Sequence, residues 1–186
     1  MTCIAIVTDG KKTVIGGDSA GVAGYSLAVR KDTKVFTKKD ASGVPWLFGF
    51  TDSFRMGELI QFELKLPKMT EKDRRNPYRH MVKHFIPATR KCLSTGGFTK
   101  IKDNRERGGV FVASVLGKIF VIGSDFQVEE PQYPFHAIGC GGDIALGSLY
   151  TSVLEKDLVK RVRTALEAAQ GFSAGVREPF IILASS

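Results

Sequence analysis

The order in which apolar segments change their period constrains this chain most. Short apolar or β-branched runs at 2–7 and 13–17 flank Asp9-Gly10, a dipeptide suited to a tight turn, and so predict a hairpin. A second pair, 33–37 and the aromatic-rich 45–50, is joined by a polar turn over 40–43. The period then lengthens. Met56, Leu59, Ile60, Phe62 and Leu66 recur at helical spacing over 54–66, until Pro67 stops the run. Asn76-Pro77 opens another helix, through Met81, Val82, Phe85 and Ile86 toward Leu93, with Pro87 as a point of kinking. A third hairpin, 109–116 with 118–124, is split by Gly117, and 136–138 is a further short strand. Helices at 144–154 and 158–169 and a closing strand at 179–184 complete the chain. Strands, two helices, strands, two helices and a strand lack the βαβ alternation of a parallel sheet. The order predicts an α+β fold of two stacked sheets between helix layers. With 186 residues, no internal repeat and no long linker, one domain over 1–186 is expected.

Several function classes are excluded early. The longest apolar stretches, 110–115 and 119–122, are interrupted by Gly117-Lys118 and fall well short of the ~20 residues needed to span a bilayer. The opening Met1-Thr2-Cys3-Ile4 lacks the basic and apolar regions of a secretory signal, so no membrane partner and a cytoplasmic location are expected. Cys3, Cys92 and Cys140 are widely spaced, with no CxxC pair, and predict neither a disulfide framework nor a zinc site. His80 and His84 sit four apart, as two ligands on one helix face would, but the sequence places no third ligand beside them. No metal or other cofactor is expected. The net charge of +8 is concentrated in 65–107, where thirteen Lys and Arg face four acidic residues. Such a block suits a nucleic-acid footprint, a docking face for an acidic partner or a solvated helical surface. No zinc finger, RNP-like aromatic strand or helix-turn-helix accompanies it, so nucleic acid is not expected as a partner.

The chemistry is carried by Thr2. Removal of Met1 would leave a hydroxyl and an α-amine on one residue, and an α-amine with a reference pKa near ~8 can act as a base. A Thr hydroxyl alone is a poor nucleophile. A Lys ammonium in contact would lower the cost of ionising it, and a buried carboxylate would hold that Lys in place. Asp18, after Gly16-Gly17, and Lys34, before Val35, are the candidates. Taken singly, Asp18 is a turn residue and Lys34 one of 27 basic residues. Thr2, Asp18 and Lys34, however, stand at equal intervals of sixteen.

This constellation resembles the proteasome β-subunits and HslV-type peptidases, N-terminal-nucleophile hydrolases with a mature N-terminal Thr, an Asp and a Lys at this spacing. Leu47-Phe48-Gly49-Phe50 resembles the family's strand and turn before the oxyanion-binding backbone, and Ala137-Ile138-Gly139-Cys140-Gly141-Gly142 its strand-to-helix glycine motif. The resemblance covers essentially the whole chain and implies a four-layer αββα sandwich. It implies Thr2 as nucleophile, Lys34 as the group that lowers its hydroxyl pKa, and Asp18 as the group that orients Lys34. Backbone N–H groups after Gly49 would bind the oxyanion, with the Asp52 carboxylate expected to point away. Substrate would lie extended along Gly21, Val22 and Ala23. Asp32 and Gly49 would line the first specificity pocket, Asp32 favouring a basic side chain. It further implies homo-oligomeric rings, single or stacked, an AAA+ unfoldase partner and unfolded polypeptide as substrate.

The chain departs from the pattern in three places, one of them the turn Phe50-Thr51-Asp52-Ser53, which has fewer glycines than that of HslV-type proteins. Cys140 stands where the family usually has a Ser in the network around the terminal amine; as a thiol it is either a weaker member of that network or a small buried residue. Gly171 replaces the family's Asp near Ser173. Three readings stay open on the sequence: a threonine peptidase, a noncatalytic ring subunit on the same scaffold, and an amidase acting on a small molecule.

Overall fold

The structure is a computed structural model and describes residues 1–185. Strands β1 (Cys3–Thr8), β2 (Thr13–Gly17), β3 (Ala20–Ala23), β4 (Ser26–Val29), β5 (Val35–Lys39) and β6 (Pro45–Phe50) come first. A helical region follows, with α1 (Phe54–Glu58), α2 (Glu71–Arg75), α3 (Pro77–His80) and α4 (Ile86–Thr95), and with π-helical turns at Leu59–Glu63 and Met81–Phe85. Then come β7 (Lys100–Lys102), β8 (Arg105–Arg107), β9 (Phe111–Val115), β10 (Lys118–Ile122), β11 (Val128–Glu129) and β12 (Phe135–Gly139). Helices α5 (Gly142–Thr151) and α6 (Leu158–Phe172) and strand β13 (Ile181–Ala184) end the chain.

Two antiparallel sheets carry the fold. One has the order β12-β1-β2-β13, the other β11-β10-β9-β6-β5, and β3-β4 and β7-β8 are separate hairpins. Both faces of the central strands are buried, which is why they are apolar throughout and show no polar alternation. On β1, Ile4 and Ile6 face the opposite sheet, where together with Ile15 of β2 they pack with Val35, Leu47, Val112 and Ile119. Cys3, Ala5 and Val7 face the other way, onto Val162, Ala165 and Leu166 of α6 and Ala145 of α5. The second sheet repeats the division: Leu47 points between the sheets, while Trp46, Phe48 and Phe50 pack against Met56, Ile60, Met81 and Phe85 of the helical region. The layers are therefore helix, sheet, sheet, helix.

The predicted helices are broken up by local chemistry. The 54–66 helix ends at Leu64, its last turn widened to a π turn whose carbonyls at Ile60, Gln61 and Leu64 accept from the Lys38 ammonium at 3.0, 2.7 and 2.7 Å. Pro87 sits in the first turn of α4, just after the second π turn, where its missing N–H breaks no regular ladder. The periodicity did not reveal α2. It is built by a capping box in which Thr70 Oγ1 accepts from Asp73 N at 3.3 Å and Asp73 accepts from Thr70 N at 3.0 Å. The short exposed hairpins were also missed, because β4 is exposed along its whole length and carries no buried face.

Candidate active site

The β1–β2 register creates the site. Ile4 pairs with Gly17, so the residues one step out, Cys3 and Asp18, stand opposite each other where the two strands open. The Asp18 carboxylate fills that opening. Oδ1 accepts from Cys3 N at 2.9 Å and from Lys34 Nζ at 2.8 Å, while Oδ2 accepts from Ala20 N at 2.9 Å and Arg177 N at 3.3 Å. Lys34 enters from the other sheet, just before β5, and its backbone is fixed where its carbonyl accepts from Phe50 N at 3.1 Å. The ion pair is dry: the Lys34 and Asp18 side chains are 1% and 0% exposed. Burial draws the Lys34 ammonium below its ordinary value, and the Asp18 charge and hydrogen bond pull it back up.

Thr2 lies against this pair, almost fully buried. Lys34 Nζ donates to the Met1 carbonyl at 3.2 Å, and Thr2 Oγ1 donates to the same oxygen at 2.6 Å. The hydroxyl and the ammonium thus converge on one carbonyl oxygen, that of the Met1-Thr2 peptide. On its other side Thr2 is held by the turn after β12. Thr2 N donates to Cys140 Sγ at 3.3 Å, and Thr2 O accepts from Gly141 N at 3.3 Å. Cys140 Sγ also lies 3.5 Å from Ser173 Oγ. Cys140 is exposed, so the reading of it as a small buried residue gives way. Gly139 makes the approach possible: its φ is +99°, and a Cβ there would stand 2.2 Å from the Thr2 carbonyl oxygen. Next to Thr2, burial pushes the Cys3 thiol up to about 12, which leaves it protonated and inert beside a potential nucleophile.

The structure brings Thr2, Asp18, Lys34 and Cys140 together, and it divides the residues expected to bind substrate. Val22 lines a cavity of about 80 Å³ with Thr2, Phe50, Asp52 and Ser53, while Gly21 and Ala23 flank it on the β3–β4 hairpin. Asp32 lines a neighbouring cavity of about 510 Å³ with Phe50, Phe54, Glu58 and Phe62. Its carboxylate is already paired with Arg30, whose Nε donates at 2.9 and 3.0 Å, so it presents no free charge to a basic side chain. Gly49 lines neither cavity, and the expectation that it forms part of a pocket is corrected: a Cβ there would meet Ile4, Ile15 and Val35 between the sheets. Phe50 and Phe54, absent from the sequence-based set, lie between the two cavities and line both.

The turn after β6 supplies one further group. Thr51 N donates to Val110 O at 3.1 Å and Ser53 N to Thr51 O at 2.8 Å, while the Asp52 N–H has no partner among the described residues. Asp52 adopts φ +67°, and its carboxylate turns away to accept from Val110 N at 2.8 Å, the orientation anticipated from the sequence. An Asp in a left-handed conformation is seldom legible in a sequence, because Gly is the usual signal for it.

No family model and no curated protein matches the chain by sequence. Solved structures do match by shape. The chain is similar to BPH of Thiobacillus denitrificans in complex with epoxomicin, at a TM-score of 0.77 and 16% identity, over 100% of this chain and 98% of that one. Eukaryotic HslV from Trypanosoma brucei aligns at a TM-score of 0.69 and 16% identity, over 98% of each chain. The Anbu complex from Pseudomonas aeruginosa, described as a helical assembly, aligns at 0.66 and 14%, over 100% of this chain and 81% of that one. At such identities the shared property is the fold, and this chain carries the αββα fold of the proteasome-like N-terminal-nucleophile hydrolases.

Proposed function

We propose that the protein is an N-terminal threonine peptidase that becomes active when Met1 is removed. The observation that carries the proposal is the dry Lys34–Asp18 ion pair, whose ammonium meets the Thr2 hydroxyl at one oxygen, the Met1 carbonyl. A buried pair of this kind is expensive to desolvate, and a fold that needed only stability is served as well by apolar residues. With Met1 gone, Lys34 loses the carbonyl it now contacts and has Thr2 Oγ1 as the nearby group to stabilise. Thr2 Oγ1 then attacks the scissile carbonyl and passes its proton to its own α-amine, directly or through one water. The unpartnered Asp52 N–H takes the oxyanion. Collapse of the tetrahedral intermediate expels the amine of the leaving peptide, and water hydrolyses the remaining ester. Cys140 and Ser173 steady the amine in place of the family's Ser and Asp.

The substrate in this reading is an unfolded polypeptide laid along Gly21, Val22 and Ala23. The chain assembles with copies of itself into a compartment, a ring or stacked rings, fed in the cytoplasm by an AAA+ unfoldase. Exposed Tyr133, Tyr150, Val153, Leu154 and Phe172 offer apolar surface for such contacts. A noncatalytic subunit is the second reading, favoured by Gly171 and Cys140, which stand where the family carries an Asp and a Ser. Intact mass before and after incubation with epoxomicin, a peptide epoxyketone that requires both hydroxyl and free amine, separates the two. The peptidase reading expects loss of Met1 and a single adduct that disappears in Thr2→Ala. Retention of Met1 would support the noncatalytic subunit, and its loss without an adduct would overturn the peptidase reading.

A further inference from the structure

The helical layer over the Trp46 end of β6 holds a second group of polar side chains, apart from the Thr2 site. His80, at the end of α3, is 0% exposed, packs its ring 6.1 Å from that of Trp46, and has no hydrogen-bond partner on either ring nitrogen among the described residues. A buried imidazole ordinarily has at least one nitrogen engaged, so two idle ones call for an explanation. His84 lies one turn on, within the π turn, with its ring 5.3 Å from that of His80. An α-helix would already place residues four apart on one face, and π turns occur frequently at functional sites. Asp73 reaches the same spot from α2 because the chain breaks at Asn76-Pro77 and turns back. Its Oδ2 is held by Thr70 N at 3.0 Å and Thr70 Oγ1 at 2.6 Å. The nearest His80 nitrogen, Nδ1, stands 3.6 Å from that oxygen, too far for a hydrogen bond.

We infer that Asp73, His80 and His84 form a binding site for a borderline divalent transition ion of the Zn²⁺ class, with a further coordination position left to water. Two imidazoles and one carboxylate are a donor set that Zn²⁺ takes. One candidate ligand atom from each residue lies within 4.8 Å of the others. Zn²⁺ bonds of about 2.0–2.2 Å require those atoms to close to roughly 4 Å or less, a movement the exposed His84 supplies by side-chain rotation. Thr70 fixes the carboxylate, as outer partners of metal ligands do. Bound there, the ion ties α2 to α3 across the Asn76-Pro77 break. The sequence offered only the His80–His84 pair; the fold supplies the third ligand.

The test uses the full chain without a histidine tag, stripped with a chelator and titrated with Co²⁺, which reports its ligands by visible absorption. One Co²⁺ per chain is expected, with absorption displaced by Zn²⁺. Affinity falls about 100-fold or more in His84→Ala, whose exposed side chain contributes little to the core, and in Asp73→Asn, which retains the cap. His136→Gln and Cys140→Ser leave binding intact. Co²⁺ binding that survives His84→Ala and Asp73→Asn, or that is lost in Cys140→Ser, would overturn the assignment. No binding at millimolar Co²⁺ would also overturn it.

Discussion

Asp18 and Lys34 form one ion pair, yet they do not depend on each other equally. Asp18 retains three backbone donors, Cys3 N, Ala20 N and Arg177 N, whether or not Lys34 is present. Lys34, besides Asp18, has only the Met1 carbonyl among the described residues. Asp18→Ala therefore leaves a buried ammonium and three N–H groups without their acceptor, and is expected to destabilise the fold by about 3–5 kcal/mol. Lys34→Met, which leaves Asp18 hydrogen-bonded, should cost clearly less in urea unfolding. In the epoxyketone reaction the order reverses in meaning: Lys34→Met keeps the fold and is expected to slow adduct formation on the order of 100-fold or more. Equal stability losses would show that the pair is held together by something other than the Asp18 hydrogen bonds. Thr2, Asp18 and Lys34 were singled out in the sequence by their equal spacing and by the family resemblance, and in the fold the β1–β2 register and the entry to β5 bring them side by side. Phe50 and Phe54 were not, since an aromatic that lines a cavity and one that fills a core look alike before folding. The Asp32–Arg30 pairing escaped for a different reason. Residues two apart on a strand lie on one face, but only the folded loop shows that Arg30 turns toward Asp32 and lies 3.7 Å over the Phe54 ring.

Strands and helices were legible as elements wherever a face is buried, and invisible where none is. β1, β2, β6 and β9 are buried almost throughout, and their predicted limits lie close to those observed. The π turns could not be foreseen, because apolar residues three and four apart fit an α-helix and a widened turn equally well. The widened turn at Leu59–Glu63 instead depends on a group from another element, the Lys38 ammonium. Lys38→Met removes a charged donor from three carbonyls and is expected to cost about 1–3 kcal/mol in thermal or denaturant unfolding, with faster amide exchange concentrated at 59–64. A cost shared evenly along the chain would mean that the ammonium is not what holds this turn. The β12–α5 junction makes a stricter demand. Gly139→Ala places a methyl group 2.2 Å from the Thr2 carbonyl oxygen at a φ of +99°, and the atom it meets is backbone. Thr2 must move. The variant is expected to lose about 2 kcal/mol or more of stability and, because a 1 Å misplacement costs about 100-fold in rate, to form the epoxyketone adduct far more slowly. Unfolding midpoint and adduct rate together check this, and a variant that matches the parent in both would show that the approach at Gly139 is not tight.

At the scale of the molecule, the four layers were legible from the order of hairpins and helix pairs, since that order lacks the βαβ alternation that would cover both faces of a single sheet with helices. The charge was legible as a quantity and not as a role: most of the basic side chains of 65–107 lie exposed, where pairs such as Arg90 with Glu106 contribute little to stability. Buried titratable groups matter more to the whole. His136 sits on β12 opposite Ile6, and burial lowers its pKa below the ordinary value of 6.5, against a smaller upward pull from Glu129. The folded protein therefore binds this proton less readily than the unfolded chain. Above about pH 7 neither state is protonated and stability is unaffected. As pH falls through 6.5 the unfolded chain takes up the proton first, and stability declines until the folded His136 also titrates. The slope from this one group is at most about 1.4 kcal/mol per pH unit. Asp9 and Asp40 behave in the same sense but in another window, because their folded values lie below 3.8 and their contribution is lost only as pH falls below that. Unfolding free energy measured between pH 7.5 and 5 is thus expected to fall with acid, and His136→Gln, which cannot charge, to fall less steeply. Parallel curves for the two proteins would mean that His136 takes up its proton as readily in the fold as outside it, and that the acid sensitivity in this range originates elsewhere.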